Sequence, residues 1–270
     1  MCSNHNHKLI SDIHSTLEIE FHGARMRVPD TDEVSECRRI LGDNPDSAEA
    51  LLRLGDALAF QMRYREALIY YEKAAAVAPD NYEARRKCAV RYMSTMQIDK
   101  AEREFLWCRG RAEDMLDIEY RLALCDYYKG DFLKAREGFL ECYPLAVGND
   151  EMYIAVIYWH ILCQVKLGEG VMPALAHFSE GLDAGHHIGY MQTARLFAGG
   201  DPKSARVGVE GHGELAESIY LYGLYHYYIY NKDNAAAEKA LKEMLELNTY
   251  FSSFAYLGAF SEIMRKKGIR

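Results

Sequence analysis

The sequence predicts an all-α protein, an α-solenoid in which about five helix hairpins stack in chain order. The main observation is an internal repeat: three segments match one another at an offset of 34 residues. A second is the residue type in the repeated slots, which are small where two helices must touch and aromatic four positions after the second small residue. The slots are Gly55/Ala89/Ala123, Ala67/Ala101/Ala135, Tyr71/Phe105/Phe139 and Ala74/Cys108/Cys142. A period of this length is typical of helix–turn–helix repeats.

The repeated residues also carry a family resemblance. The first unit has Leu51, Leu54, Gly55, Leu58, Ala67, Tyr71, Ala74 and Pro79; the second has Cys88, Ala89, Tyr92, Ala101, Phe105 and Cys108; the third has Leu122, Ala123, Gly130, Ala135, Phe139 and Cys142. With these residues the chain resembles the tetratricopeptide repeat (TPR) family, strongly over 48–143 and weakly over 150–250. The resemblance implies TPR-like hairpins and a noncatalytic scaffold for protein interaction. We expect three regular units over 47–143.

The N-terminal region has a different pattern. We expect a disordered tail at 1–13 and then, within 14–46, a short β-hairpin followed by a short helix. Leu17, Ile19 and Phe21 alternate with glutamates, the residues after His22-Gly23 alternate with arginines, and the two runs pair across a two-residue turn. The helix that follows has Asp30 and Glu33 at the spacing of an N-terminal cap.

The 34-residue period stops after Cys142, and we expect two degenerate TPR-like units over 144–250. Helices are predicted at 151–167, 214–230 and 234–247, with one short helix at 190–197 in a glycine-rich stretch, 185–213. Ala174, Phe178 and Gly181 lie 39 residues after Ala135, Phe139 and Cys142, so we expect them to occupy the second-helix slots of the fourth unit. A capping helix is predicted within 251–270. The run of tyrosines at 220–230 surrounds its helix, which favours core packing; a second binding surface is the alternative.

Composition limits the function. The formal charge of −8 argues against nonspecific binding of nucleic acid or anionic membranes. No stretch approaches the roughly 18 apolar residues of a membrane span, and the N-terminus has no apolar core of a secretory signal. The seven cysteines are odd in number and not clustered, so we interpret them as reduced, buried residues. We expect a cytoplasmic protein with no metal site, cofactor or catalytic centre.

The family resemblance implies that the first helix of each unit lines a concave groove that binds a partner peptide or helix. The candidate groove residues are Leu52, Asp56, Phe60, Arg86, Val90, Tyr120, Leu124, Tyr127 and Tyr128. Packing of some of them on neighbouring helices is the alternative. One family subtype holds the C-terminal carboxylate of chaperones at positions that here are Leu52, Asp56, Lys87, Asp117 and Arg121. Two carboxylates among them would repel that ligand.

We therefore expect a noncatalytic adaptor or co-chaperone whose partner, a protein or peptide, binds in the groove. The first alternative is a homo-oligomeric assembly module, for example a homodimer, in which the N-terminal hairpins of two copies pair with each other. The second is an enzyme with a site in the irregular 185–213 region, for which the sequence supplies no recognisable catalytic motif.

Overall fold

The computed structural model describes residues 3–23, 29–247 and 251–269. Every regular element in these ranges is an α-helix, and they contain no β-strand. This confirms the all-α class. The chain forms two compact units: unit 1 is Met1–Glu113 with Lys267–Arg270, and unit 2 is Asp114–Lys266.

Unit 1 contains the helices α1 (Ser3–Gly23), α2 (Asp32–Asp43), α3 (Ala48–Phe60), α4 (Tyr64–Val77), α5 (Tyr82–Ser94) and α6 (Ile98–Arg109). From α2 to α6, each helix packs on the next one along the chain, and α1 contacts α4. α2 packs on α3, and the pairs α3–α4 and α5–α6 form two full hairpins joined through α4 and α5. The side chains of Ser47 and Asn81 accept hydrogen bonds from backbone N–H groups in the first turns of α3 and α5, which fixes where these helices begin.

Unit 2 begins with a full hairpin, and a second full hairpin precedes its last helix. Its helices are α7 (Met115–Lys129), α8 (Phe132–Leu145), α9 (Asp150–Leu167), α10 (Met172–Leu175), α11 (Ile188–Phe197), α12 (Pro202–Val207), α13 (Glu214–Tyr230), α14 (Asn234–Glu246) and α15 (Phe254–Lys266). The hairpins α7–α8 and α13–α14 are complete, whereas α9 and α11 are each followed by a short helix. α13 also packs on α9, and α15 packs on α7, α13 and α14.

The repeated slots hold the hairpins together. Ala67, Ala101 and Ala135 are completely buried, and so are the aromatic rings that follow two of them, Phe105 and Phe139. In the first unit the aromatic residue is Tyr71, and a β-carbon on Gly55 would lie 2.4 Å from its Cε1. The small residue on the first helix therefore leaves room for the ring from the second helix, which explains the period seen in the sequence.

The predicted N-terminal hairpin is wrong. Residues 17–21 lie in α1, which begins at Ser3, so the tail expected to be disordered over 1–13 is helical from that residue; 24–28, the second predicted strand, lie outside the described residues. The buried residues Ile10, His14 and Glu18 recur every four positions, a helical spacing. Glu18 Oε1 accepts a hydrogen bond from the backbone N–H of Arg65 (3.0 Å), which fixes this face on unit 1.

The cap of α2 also differs from expectation. Its N-cap residue is Thr31, whose hydroxyl accepts from the N–H of Val34 at 3.3 Å. Asp30 instead binds the guanidinium groups of Arg38 (2.7 Å) and Arg63. These contacts outweigh the burial that opposes them and lower the pKa of Asp30. The acidic residue next to the cap thus joins α2 to the start of α4 rather than capping its own helix.

Two departures occur in the irregular part of unit 2. The second helix expected from 174 is a single turn, α10, because the chain then turns so that His177 stacks on the ring of Tyr143 at 3.8 Å between centroids. A helix absent from the prediction, α12, begins at Pro202 with Asp201 accepting from the N–H of Ser204 at 2.9 Å. Asp-Pro is a helix-start signal that could have been read from the sequence.

The cysteines within the described residues are free and buried, namely Cys37, Cys88, Cys108, Cys125, Cys142 and Cys163. Burial raises the pKa of Cys88 and Cys142 to about 12 and that of Cys108 to about 11. These thiols therefore remain protonated at neutral pH and act as small apolar side chains in the repeat slots.

Candidate functional site

The candidate groove residues of unit 1 lie partly in the open. Phe60, the last residue of α3, is 88% exposed, an unusual position for a phenylalanine. Asp56, one helical turn earlier, is also exposed, whereas Leu52 is buried. On α5, Arg86 and Val90 are half-buried.

Ionic contacts join these two helices. Lys87 Nζ on α5 lies 2.6 Å from Asp56 Oδ1 on α3, and the hydroxyl of Tyr71 donates to the same oxygen at 2.7 Å. Burial, reinforced by the Asp56 carboxylate, raises the pKa of Tyr71. Asp56 is thus fixed beside an exposed aromatic ring. We call Asp56, Phe60, Arg86, Lys87 and Val90 the α3–α5 face; it offers an apolar anchor together with paired charges.

The candidate groove residues of unit 2 are interior. Tyr120, Leu124, Tyr127 and Tyr128 are at most 4% exposed. The ring of Tyr120 packs on Phe139 and Phe254, with centroids 5.7 and 6.0 Å away. The hydroxyl of Tyr128 donates to the carbonyl of Phe254 at 3.0 Å. The surface expected to receive a partner on α7 is therefore covered by the chain's own C-terminal helix, α15, and in this arrangement it is closed to a partner.

The contact between α15 and α7 is parallel and in part polar. Phe254, at the start of α15, lies against Tyr120 in the first half of α7. Arg265, near its end, donates to the carbonyl of Tyr128 at 2.6 Å. Nine residues of α15 are buried, from Ala255 to Met264. α15 is therefore a core element of unit 2 as well as its cap.

A buried carboxylate of α15 lies against α9 and α13. Glu262 is 2% exposed and contacts four partners: Lys166 Nζ at 2.5 Å, the hydroxyls of Tyr222 and Tyr225 at 2.6 and 2.9 Å, and His226 Nε2 at 3.2 Å. Burial raises the pKa of Glu262, but the contacts with His226 and Lys166 outweigh it and hold that pKa well below its usual range. We call this set of five residues the Glu262 network.

The tyrosine-rich helix α13 supplies most of the network. The N–H of His226 Nδ1 donates to the carbonyl oxygen of Tyr222 at 2.8 Å. The hydroxyl oxygens of Tyr127 on α7 and Tyr222 lie 3.0 Å apart. Tyr222 reaches α15 because Gly258 has no side chain: a β-carbon there would lie 2.8 Å from Tyr222 Cε1. The core interpretation fits the first part of the tyrosine run, whereas Tyr230 at its end is 42% exposed.

A buried histidine makes the stability of unit 2 depend on pH. His160 is 2% exposed, its Nδ1 lies 3.1 Å from the hydroxyl of Tyr143, and burial, with a smaller effect of His177, lowers its pKa to about 4. In the unfolded chain His160 is protonated below about pH 6.5, whereas in the folded chain it is protonated only near pH 4 and below. Folding free energy should therefore be lost progressively as the pH falls through this window, by about 3 kcal/mol at most.

This pH effect can be measured with one reporter. The two tryptophans lie in different units, Trp107 in α6 and Trp159 in α9, so a Trp107→Phe background makes fluorescence report unit 2. We expect His160→Gln to reduce the loss of stability between about pH 7 and pH 4.5, and His226, whose pKa is also lowered by burial, to contribute to the loss that remains. The exposed His212→Gln is the matched control. An unchanged pH profile in His160→Gln would show that this histidine is not the group responsible.

The structure disfavours the carboxylate-binding subtype. Lys87 is paired with Asp56, and Arg121 with Asp117 four residues earlier in α7. Two of the cations that such a site would need are therefore neutralised within the chain. Among the described residues, no three His, Cys, Asp or Glu side chains are grouped so as to hold a metal ion. None of the helices described is both long and apolar enough to cross a membrane.

Comparison with solved structures identifies the fold. The chain is similar to the crystal structure of a tetratricopeptide repeat protein from Parabacteroides merdae, with a TM-score of 0.57 over 92% of this chain and 98% of that chain, at 11% identity. The chain therefore has the tetratricopeptide repeat fold. It is also similar to PilF of Pseudomonas aeruginosa, at 14% identity and a TM-score of 0.46, with 96% of this chain and 99% of that chain covered. A further similar structure is YrrB, described as a TPR protein with an unusual peptide-binding site, at 14% identity and a TM-score of 0.44, with 85% of this chain and 97% of that chain covered. No family model matches the chain, and comparison with curated proteins gives no significant match.

Proposed function

We propose that the protein is a noncatalytic adaptor that binds a segment of a protein partner on the α3–α5 face of unit 1. The observation that carries the proposal is Phe60, a large apolar side chain that is 88% exposed on a helix that the TPR fold makes part of an interaction surface. Exposed aromatic residues flanked by charges are frequent anchors of protein interfaces. The ion pair of Asp56 with Lys87 keeps the two helices in place around it.

The proposal concentrates binding on four of the nine candidate residues, Asp56, Phe60, Arg86 and Val90. Leu52, the fifth candidate in unit 1, is buried and takes no direct part. The candidate tyrosines of α7 act in the core. We place the interaction in the cytoplasm, since buried free thiols suit a reducing compartment. A co-chaperone role is a narrower form of the same proposal. It would not use the carboxylate-binding residues of the chaperone-binding subtype, because Lys87 and Arg121 are paired within the chain.

The alternative of homo-oligomeric assembly loses the element on which it depended, since residues 17–21 are helical. A homodimer would have to use another surface, and sedimentation of the full chain would detect it. The enzyme alternative gains no chemistry from the irregular region, where α11 and α12 pack on each other and Thr193 makes its hydrogen bond to the backbone of Gly189.

Phe60→Asp tests the proposal. A partner is first captured by cross-linking to the full-length chain in cells of the source organism and then purified. We expect Phe60→Asp to weaken its binding at least about 30-fold, because replacing an interface anchor typically costs 2 kcal/mol or more. Isothermal titration calorimetry with the purified partner measures the change.

Val147→Asp is the matched control, since Val147 is 77% exposed and belongs to unit 2. It should bind the partner as the unmodified chain does. Equal affinity of Phe60→Asp and the unmodified chain, or an equal loss in both variants, would count against the α3–α5 face. Helicity and unfolding midpoints of both variants establish that the fold is intact.

A further inference from the structure

A second concave feature of unit 1 lies where α1 meets the start of α6. The cleft has a volume of about 550 Å³, within the range of ligand sites. Its walls come from three parts of the unit: Lys8, Ser11 and Asp12 of α1; Arg65 of α4; and Gln97, Ile98, Asp99, Lys100 and Arg103 at the start of α6. None of these residues belongs to the α3–α5 face.

The cleft is locally basic. Four cationic side chains line it against two carboxylates, whereas the whole chain has a formal charge of −8. Lys8, Lys100 and Arg103 are exposed, and Arg65 closes the inner end, where its guanidinium donates to the carbonyl of Thr95 at 3.3 Å. Burial lowers the pKa of Arg65, which means that its charge is poorly solvated there. Arg65 lies 3.6 Å from Glu18 and Arg103 lies 3.6 Å from Glu104, so part of their charge is compensated. An anion in the cleft would be attracted by the remaining excess of positive charge.

The chain itself shows how a carboxylate is bound at this edge. Arg63, Gln97 and Asp131 occupy the same slot of the 34-residue repeat, immediately before α4, α6 and α8. At α8, Asp131 accepts from the N–H of Lys134 at 3.2 Å. At α4, where Arg63 makes no capping bond, Glu18 of α1 supplies the carboxylate to the N–H of Arg65 and lies 3.6 Å from its guanidinium.

α6 is the third of these helix starts, and it opens into the cleft. Its N-cap residue, Gln97, makes no side-chain capping bond, and its amide group donates instead to Thr95 Oγ1 at 3.1 Å. We propose that the cleft binds a carboxylate of an acidic peptide segment from a protein partner, held by Lys8, Lys100 and Arg103 beside the first turn of α6. This site goes beyond the proposed function, because it is separate from the α3–α5 face.

The lining favours a peptide over a polyphosphate or a nucleic acid. Asp12 and Asp99 stand among the cations, and they would repel a ligand with dense negative charge. The same two carboxylates can accept hydrogen bonds from the N–H groups of a peptide backbone. The residues that line the cleft include no aromatic ring on which a base could stack.

Two probes distinguish these ligands. A blocked peptide (Gly-Ser-Glu)2, whose carboxylates are spaced apart, and, separately, inorganic phosphate are titrated into the ¹⁵N-labelled full-length chain. We expect the peptide to shift the backbone amide signals of 97–103, with little effect of phosphate at the same concentration. The double variant Lys100→Glu/Arg103→Glu should bind the peptide at least about tenfold more weakly. The control Lys239→Glu/Lys242→Glu makes the same change of charge on exposed positions of α14 and should bind it normally.

The outcomes separate cleanly. Absence of peptide binding would overturn the proposal. An equal loss of affinity for the peptide in both double variants would also overturn it, because the attraction would then be nonspecific. Shifts with phosphate but not with the peptide would overturn the assignment of the ligand. Because the variants leave Phe60 unchanged, failure here would not affect the proposed function, and failure of Phe60→Asp would not affect this cleft.

Discussion

Replacing Glu262 with alanine is expected to lower the free energy of unfolding of unit 2 by about 3–5 kcal/mol, the usual cost of breaking a buried ion pair. The change would leave Lys166, whose side chain is 18% exposed, without its carboxylate, and the hydroxyls of Tyr222 and Tyr225 without their acceptor. Denaturant unfolding followed by Trp159 fluorescence in the Trp107→Phe background measures the effect in unit 2.

Glu246→Ala is the control for this prediction, because Glu246 on α14 is 68% exposed and pairs only weakly, at 4.0 Å from Lys242. It should change stability by less than about 0.5 kcal/mol. Changing both partners, Glu262→Leu with Lys166→Met, should cost less than the sum of the single changes, since no charge is left buried. A loss in Glu262→Ala no larger than in the control would refute the ionic role of the network.

The contribution of Glu262 to the stability of unit 2 also depends on pH. The folded pKa of Glu262 lies below its unfolded value of about 4.3, so its contribution is complete above that value and is lost as the pH falls towards the folded pKa. This window lies below most of that of His160, so the two groups can be separated in one pH series.

The second large effect is expected at Tyr128. Tyr128→Ala should destabilise unit 2 by about 3–5 kcal/mol, as for other buried aromatic residues replaced by alanine, because it is 4% exposed and leaves the carbonyl of Phe254 without its donor. The sequence alone predicted Tyr128 to be a groove residue, and at such a position the change would weaken partner binding. The structure predicts that it acts on folding.

Phe60→Ala is the matched control, since Phe60 occupies the same slot of the repeat, 68 residues earlier. At 88% exposure it should change stability by less than about 0.5 kcal/mol. Trp107, the only tryptophan of unit 1, follows its unfolding in a Trp159→Phe background. Equal stability of Tyr128→Ala and the unmodified chain would show that the ring is not part of the core.

The repeat made the fold predictable, because the residue type in each slot is determined by the residues that it packs against. Tyr71 requires a small residue opposite it, and Gly55 supplies one, so the sequence records the contact directly. Ser47 and Asn81, which cap the starts of α3 and α5, are residue types that signal a helix start in a sequence. The helix α1 was missed because the alternation of Leu17 and Ile19 resembles a strand, while its buried positions follow a helical spacing set by contacts with Arg65, which is distant in the sequence.

The exposure of the candidate groove residues could not be predicted from the sequence, because a slot in a repeat does not show what covers it. Phe60 and Tyr128 are equivalent in the sequence, yet one is exposed and the other is covered by α15. Glu262 gave no signal, since a glutamate on a terminal helix is usually solvated. Only the meeting of α9, α13 and α15 turns it into the centre of a network.

Hydroxyl-radical footprinting of the full-length chain tests most directly the claim that the candidate groove is open at α3 and closed at α7. It measures the oxidation rates of Phe60, Tyr120, Tyr127 and Tyr128 by mass spectrometry, with the 42% exposed Tyr230 as an internal standard. The structure predicts rapid oxidation of Phe60 and strong protection of the three tyrosines of α7. Oxidation of those tyrosines at the rate of Tyr230, or protection of Phe60, would contradict it.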